Sequence, residues 1–187
     1  MKQIAALVFS KEVDSSYALA EFETTEKRAS SAFEELEALA KKDAVAIESG
    51  TVVVNDMGMV KLKKTSDRTA KSGAGWGAFW GLLVGLIFAG PLVGVLGGLG
   101  LGALLGGKAH KGIDRDFMKE IGKGIKPGDA ALFLLIDGDD EATLKQLQAY
   151  DAKFYTTTLT DDVHEALEKA TEHEEILAAL KEEPDQE

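Results

Sequence analysis

The residues able to do chemistry are few, and their spacing serves it poorly. From Gly102 to Lys108 the chain reads GALLGGK and continues with Ala109, matching the phosphate-loop pattern GxxxxGK up to its last position. That loop needs a hydroxyl for magnesium and a strand before it. Ala109 and an apolar run stand there instead, so no nucleotide site is expected. The GxG pairs Gly73/Gly75 and Gly98/Gly100 lack the preceding strand and following acid of a dinucleotide site. His164 and His173 lie among Glu165, Glu168, Glu172 and Glu175. A divalent-cation site there would need a closed ligand set, which no spacing supplies; a solvated charged helix is the simpler reading. The run Asp137-Gly138-Asp139-Asp140-Glu141 has fragments of a calcium loop without its DxDxDG order, and reads as a strand-to-helix turn with an aspartate cap. Asp114 and Asp116 flank Arg115 at a helix start, where capping accounts for them. The chain has no cysteine, which excludes disulfides, thiolate metal sites and cysteine nucleophiles. None of its serines stands in a nucleophile motif with a histidine. The reading is therefore non-enzymatic, with no catalytic residue, metal ligand, cofactor or small-molecule ligand expected.

The chain has 187 residues, the size of one domain with an insertion, and a formal charge of -11. That acidity argues against a nucleic-acid partner, which calls for surplus positive charge. The opening MKQIAALVFSKEVDSS holds one short apolar run and then charges; it reads as a strand rather than a signal peptide. Against this plain background, 13 of the 20 glycines fall between Gly73 and Gly107, a stretch with no charged, hydroxyl or amide side chain. A bilayer span needs ~20 apolar residues. Gly90-Pro91 cuts this run into arms 73–90 and 91–107, because proline removes a backbone donor and disfavours helix at the residue before it.

Gly73, Gly77, Gly81 and Gly85 recur every fourth residue, as do Gly90, Gly94, Gly98, Gly102 and Gly106. Residues four apart share a helix face, so each arm carries a strip without side chains, and such strips let helices approach closely. In water each helical glycine costs ~1 kcal/mol relative to alanine, so these helices need a partner. The flanks are basic: Lys61, Lys63, Lys64, Arg68 and Lys71 precede the segment with Asp67 as the one acid among them, and Lys108 and Lys111 follow it. Positive charge marks the cytoplasmic side of membrane segments, and Trp76 and Trp80 stand near one end, where interfacial aromatics anchor. The expectation is a hairpin in the inner membrane with both termini cytoplasmic and the glycines as oligomerisation strip. A soluble homo-oligomer burying the same helices between its subunits satisfies the same pattern.

The remainder positions this segment. Residues 3–9 read as a buried strand, and a helix is expected within 15–42 on the face Ala32, Phe33, Leu36, Leu39 and Ala40. Residues 44–54 and 59–63 form a hairpin turned at Asp56–Gly58. After the insertion come a helix at 114–125 stopped by Lys126-Pro127-Gly128, a strand at 130–136, a helix at 140–150, a strand at 153–159 and an acidic helix at 160–181. Taken together, residues 1–72 and 108–187 are the two parts of one α+β domain of ferredoxin-like sandwich type, interrupted by the glycine-rich helical hairpin 73–107.

The stretches GWGAFWGLLVGLIFAGPLVG, GIDRDFMKEIGKGIKPGDAALFLLI and KFYTTTLT resemble, in this order and over nearly the whole chain, the predicted membrane proteins grouped as domain of unknown function 1269. The resemblance implies a bacterial or archaeal origin and a glycine-zipper hairpin in a small α+β domain. It implies no activity and no catalytic residues. The expected partners are further copies of the chain and the lipid bilayer.

Overall fold

Two strands of this sequence, IAALVF and AALFLLI, are apolar at every position rather than at alternate ones, which requires both of their faces to be covered. The computed structural model describes residues 2–10, 24–67, 75–89, 113–138, 140–165 and 169, and shows why. β1 (Lys2–Phe9) and β4 (Ala130–Asp137) lie side by side in a five-stranded sheet of order β3-β2-β4-β1-β5, completed by β2 (Ile47–Asp56), β3 (Met59–Asp67) and β5 (Lys153–Leu159). Every pairing is antiparallel. The fold is α+β, with helices on both faces of the sheet.

Because strand side chains alternate between faces, the apolar runs divide into two cores. Ala5, Leu7, Phe9, Leu132, Leu134 and Ile136 face α1 (Thr25–Ala40) and α4 (Glu141–Gln148). Ile4, Ala6, Val8, Ala131, Phe133 and Leu135 face α2 (Gly75–Ala89) and α3 (Arg115–Gly124). Each large side chain so buried contributes roughly 1.5–3 kcal/mol. One register position allows no side chain at all. A Cβ on Gly50 would stand 2.7 Å from Phe33 Cε2, 2.8 Å from Leu134 Cδ2 and 3.0 Å from the Phe133 carbonyl oxygen, so glycine there lets α1 close on the sheet.

The helix ends follow their caps. The hydroxyl of Thr24 accepts from Lys27 N at 3.2 Å and starts α1. The carboxylate of Asp114 accepts from Asp116 N at 2.7 Å and Phe117 N at 2.9 Å and starts α3. Asp140 starts α4 by accepting from Ala142 N at 3.3 Å and from the Thr143 hydroxyl, which holds its pKa below the ordinary value, the Thr143 bond first among the causes. The Asp caps read from the sequence are thus in place. The β2–β3 hairpin turns at Met57 and Gly58, with φ of 50° and 91°, the paired positive values of a tight two-residue hairpin turn. Asn55 Oδ1 accepts from Gly58 N at 2.8 Å and Asn55 Nδ2 donates to the Ile125 carbonyl at 2.9 Å, tying the turn to the end of α3. The start of the expected first helix, 15–23, lies outside the described residues. So do the second apolar arm and the acidic helix beyond its opening residues 161–165 and Lys169.

The first apolar arm was expected as one leg of an inserted hairpin. It is helical over Gly75–Ala89, but it lies on the sheet. Phe79, Trp80, Leu83, Val84 and Ile87 are buried in the core it shares with β1, β2, β4 and α3. Fifteen residues make a helix of about 22 Å, and among the described residues no helix is long and apolar enough to cross a membrane.

Candidate functional site

The two faces of α2 form the most unusual surface of the molecule. On the inner face Trp80 is fully buried (0% exposed) and its indole Nε1 donates to Ser49 Oγ of β2 at 3.0 Å. Phe79 meets the Trp80 ring edge-on at 5.5 Å and the His164 ring at 6.0 Å, so the first turn of the last helix also holds α2. Phe88 packs edge-on against Phe133 at 6.3 Å. Farther along, a Cβ on Gly122 of α3 would stand 3.6 Å from the Ile87 carbonyl oxygen. This is a correction to the sequence reading of Trp80: it is a core residue with a built hydrogen-bond acceptor, not an interfacial anchor. A buried indole N–H needs such an acceptor, and Ser49, 31 residues away, supplies it.

The outer face is the reverse. A Cβ added at Gly81 or Gly85 would meet nothing within 4 Å, and Gly81 is exposed. Gly77 belongs to the same helix and, four residues earlier, to the same strip. Gly73, Gly90, Gly94, Gly98, Gly102 and Gly106 lie outside the described residues. Of the aromatic pair, Trp76 is placed only as a residue of α2.

The basic residues scatter. Lys61 is on edge strand β3 and pairs with Asp56 at 2.7 Å, which holds the Asp56 pKa below its ordinary value, mainly through their hydrogen bond. Lys63 stands 3.5 Å from Glu26 of α1. Lys64 is placed only as a strand residue, and Arg68, Lys71, Lys108 and Lys111 lie outside the described residues. Lysines on an open sheet edge also resist edge-to-edge pairing, so Lys61 and Lys63 have a structural use of their own.

The remaining titratable groups build structure. Asp129 is buried and its carboxylate accepts from Lys126 N at 2.9 Å, closing the Lys126–Asp129 turn. The Thr25 hydroxyl donates to the Gly128 carbonyl at 2.7 Å, joining that turn to α1. Lys2 bridges Glu48 at 2.6 Å and Asp137 at 3.3 Å. Burial alone would lower the Lys2 pKa, but the two carboxylates outweigh it and raise it. Burial first, then the neighbouring Glu35 carboxylate, push the Tyr150 phenol up. Among the described residues no three acidic or histidine side chains gather as a metal site. His173 and its neighbouring glutamates lie outside those residues.

The sequence reading missed one feature, the tip of the β2–β3 hairpin. Met57 and Met59 are 87% and 60% exposed there, and their signal was legible as two large apolar residues flanking a turn glycine.

No curated protein and no solved structure matches the chain. A family model described as "Protein of unknown function (DUF1269)" matches residues 74–172, which takes in α2, the apolar segment after Gly73, α3, β4, α4 and β5. The resemblance read over nearly the whole chain is therefore narrower than expected, because β1, α1, β2 and β3 precede the match. With more than half of its length covered, this chain belongs to the DUF1269 family of proteins of unknown function.

Proposed function

We propose that this protein is a non-enzymatic, self-assembling protein of a membrane surface, whose α+β domain stays in water and presents the glycine strip of α2 to a second apolar helix. The single observation that carries the reading is the division of α2. One side is built into the core through Phe79, Trp80, Leu83, Val84 and Ile87, and on another side a Cβ at Gly81 or Gly85 would stand in open space among the described residues. A helix that gives up ~1 kcal/mol at each glycine, with no described residue over Gly81 and Gly85, gains from a helix seated there, where backbones pack closely. Residues 91–107 of a neighbouring copy, with their own four-residue glycine repeat, have the composition of that second helix. The domain is read as ferredoxin-like, since β1–α1–β2 and β4–α4–β5 each skip one strand of the order β3-β2-β4-β1-β5. β3 is then an added edge strand, and the apolar segment is inserted after it.

Membrane contact rests on the uncharged stretch between Gly73 and Gly107 and on the lysines and arginines around it. With α2 on the sheet, that contact falls to the residues after Ala89. A second reading, a soluble assembly with the apolar segment buried between subunits, is favoured by the same docking of α2. Extraction of membranes with carbonate and then detergent separates the two. Protein that resists carbonate and leaves with detergent supports the membrane surface; protein that stays in the soluble fraction as a large particle refutes it and supports the soluble assembly.

A further inference from the structure

The exposed methionines stand at an end of the domain that differs in charge from the other. β2 runs from Ser49, which receives the Trp80 indole, to Asn55, which bonds the Ile125 carbonyl at the end of α3. α2 packs near Ser49 through Trp80 and beside Gly122 of α3 through Ile87. Its C-terminal end thus points to the Met57–Met59 tip, and the apolar residues 90–107 follow from there. The antiparallel register brings the Lys126–Asp129 turn and the start of β5 to the same end, because Val54 pairs with Ala130 and Val8 with Lys153.

Among the described residues at this end, Asp56 pairs with Lys61 at 2.7 Å and Asp151 with Arg28 at 2.9 Å. Lys123, Lys126 and Lys153 are exposed, and among the described residues no carboxylate pairs with them. The opposite end carries Asp137, Asp140, Glu141, Asp161 and Asp162. Among the described residues of a chain of net charge -11, this end is therefore cationic, with two large apolar side chains at its tip. Met57 is held there in a left-handed conformation, φ 50°, which a long side chain adopts only at a cost, and the Asn55 bonds fix the turn.

We propose that the Met57–Met59 hairpin tip dips into an anionic bilayer, with Lys123, Lys126 and Lys153 set against its headgroups. The inference rests on the membrane-surface reading above and adds to it the orientation of the domain: tip toward lipid, acidic end toward water. Phospholipid headgroups attract each nearby cation, and the methionines gain by leaving water. Charge complementarity and the exit of the apolar segment at the same end favour lipid over a protein partner.

The test uses the full-length protein and vesicles of phosphatidylcholine with or without 30% phosphatidylglycerol (about 30%, enough to supply a surface potential). In the M57N/M59S double variant the asparagine suits the left-handed turn, and circular dichroism confirms the fold. Its expected affinity for the anionic vesicles is lower by about tenfold or more. Reversing Lys126 and Lys153 to glutamate weakens binding to the anionic vesicles and leaves binding to the neutral ones unchanged. The absence of cysteine allows a single polarity-sensitive dye at Met57→Cys, which should shift to the blue on vesicles, whereas one at Glu141→Cys should not. If the parent binds and both variants bind equally well, the tip assignment is overturned while the membrane reading stands. A parent that binds no vesicle overturns both. A blue shift at position 57 that grows with protein concentration in the absence of lipid would seat a second copy there and overturn the lipid assignment.

Discussion

Removing the Trp80 side chain tests whether α2 is part of the domain. Trp80 is fully buried and anchored to Ser49 at 3.0 Å, so Trp80→Ala should lose the packing of a whole indole, about 3–5 kcal/mol. A domain of this kind has roughly 5–15 kcal/mol in total, so the loss is large. It has a ceiling: if α2 peels away as a unit, the cost stops at the free energy of docking α2. Ser49→Ala probes the same contact from the sheet and leaves a buried N–H without an acceptor, about 1–3 kcal/mol. In a cycle of Trp80→Phe with Ser49→Ala, the two changes should couple by about 1 kcal/mol, since they remove the two ends of one bond. The assay is urea unfolding followed by circular dichroism, together with fluorescence in a Trp76→Phe background where Trp80 is the remaining indole. Docked α2 predicts blue emission that acrylamide quenches poorly. An unchanged unfolding midpoint in Trp80→Ala, with emission like that of indole in water, would refute the docking.

Three further expectations follow from other parts of the molecule. Gly50→Ala should destabilise by about 1–3 kcal/mol in thermal or urea unfolding, since its methyl meets Phe33 and Leu134 below 3.0 Å and the Phe133 carbonyl at 3.0 Å. Gly81→Ala should do the opposite in the monomer, gaining up to ~1 kcal/mol of helix propensity in open space, while weakening self-association; unfolding and sedimentation read the two signs separately. Tyr150 and Lys2 both have raised pKa values in the fold. Each keeps a proton that the unfolded chain releases, so stability is complete below the ordinary values of 10.0 and 10.5 and falls as pH climbs beyond them. Tyr150→Phe and Lys2→Met should each flatten that alkaline decline, and an unchanged slope in both would remove these groups from the account.

Much of the frame was readable in the sequence because local chemistry fixed it. Asp114 and Asp140 start their helices by side-chain caps, and the Asp56–Gly58 turn announces the hairpin. The uninterrupted apolar runs at 4–9 and 130–136 signalled strands covered on both faces, which the two cores display. The sheet order was not readable, since it depends on β4 entering between β1 and β2 from far along the chain. The docked face of α2 was hidden for another reason. Phe79, Trp80, Leu83, Val84 and Ile87 have helical spacing, but in a segment that is apolar all round, periodicity gives no contrast. The tryptophan beside a charged flank therefore read as an interfacial anchor, and its partner Ser49 lay in another element. The glycine strip was the reverse case. Its four-residue repeat was plain, and the direction it faces required the fold.

The central claim is that the open glycine strip of α2 is an assembly surface. The most direct measurement is the mass of the full-length particle, by native mass spectrometry with and without detergent, for the parent and for a Gly81→Leu/Gly85→Leu variant. Among the described residues a Cβ at these positions meets no atom within 4 Å, so the domain should fold and its circular dichroism should stay unchanged. The account predicts a parent of several copies and a variant that falls to one. Equal masses for the two would contradict it.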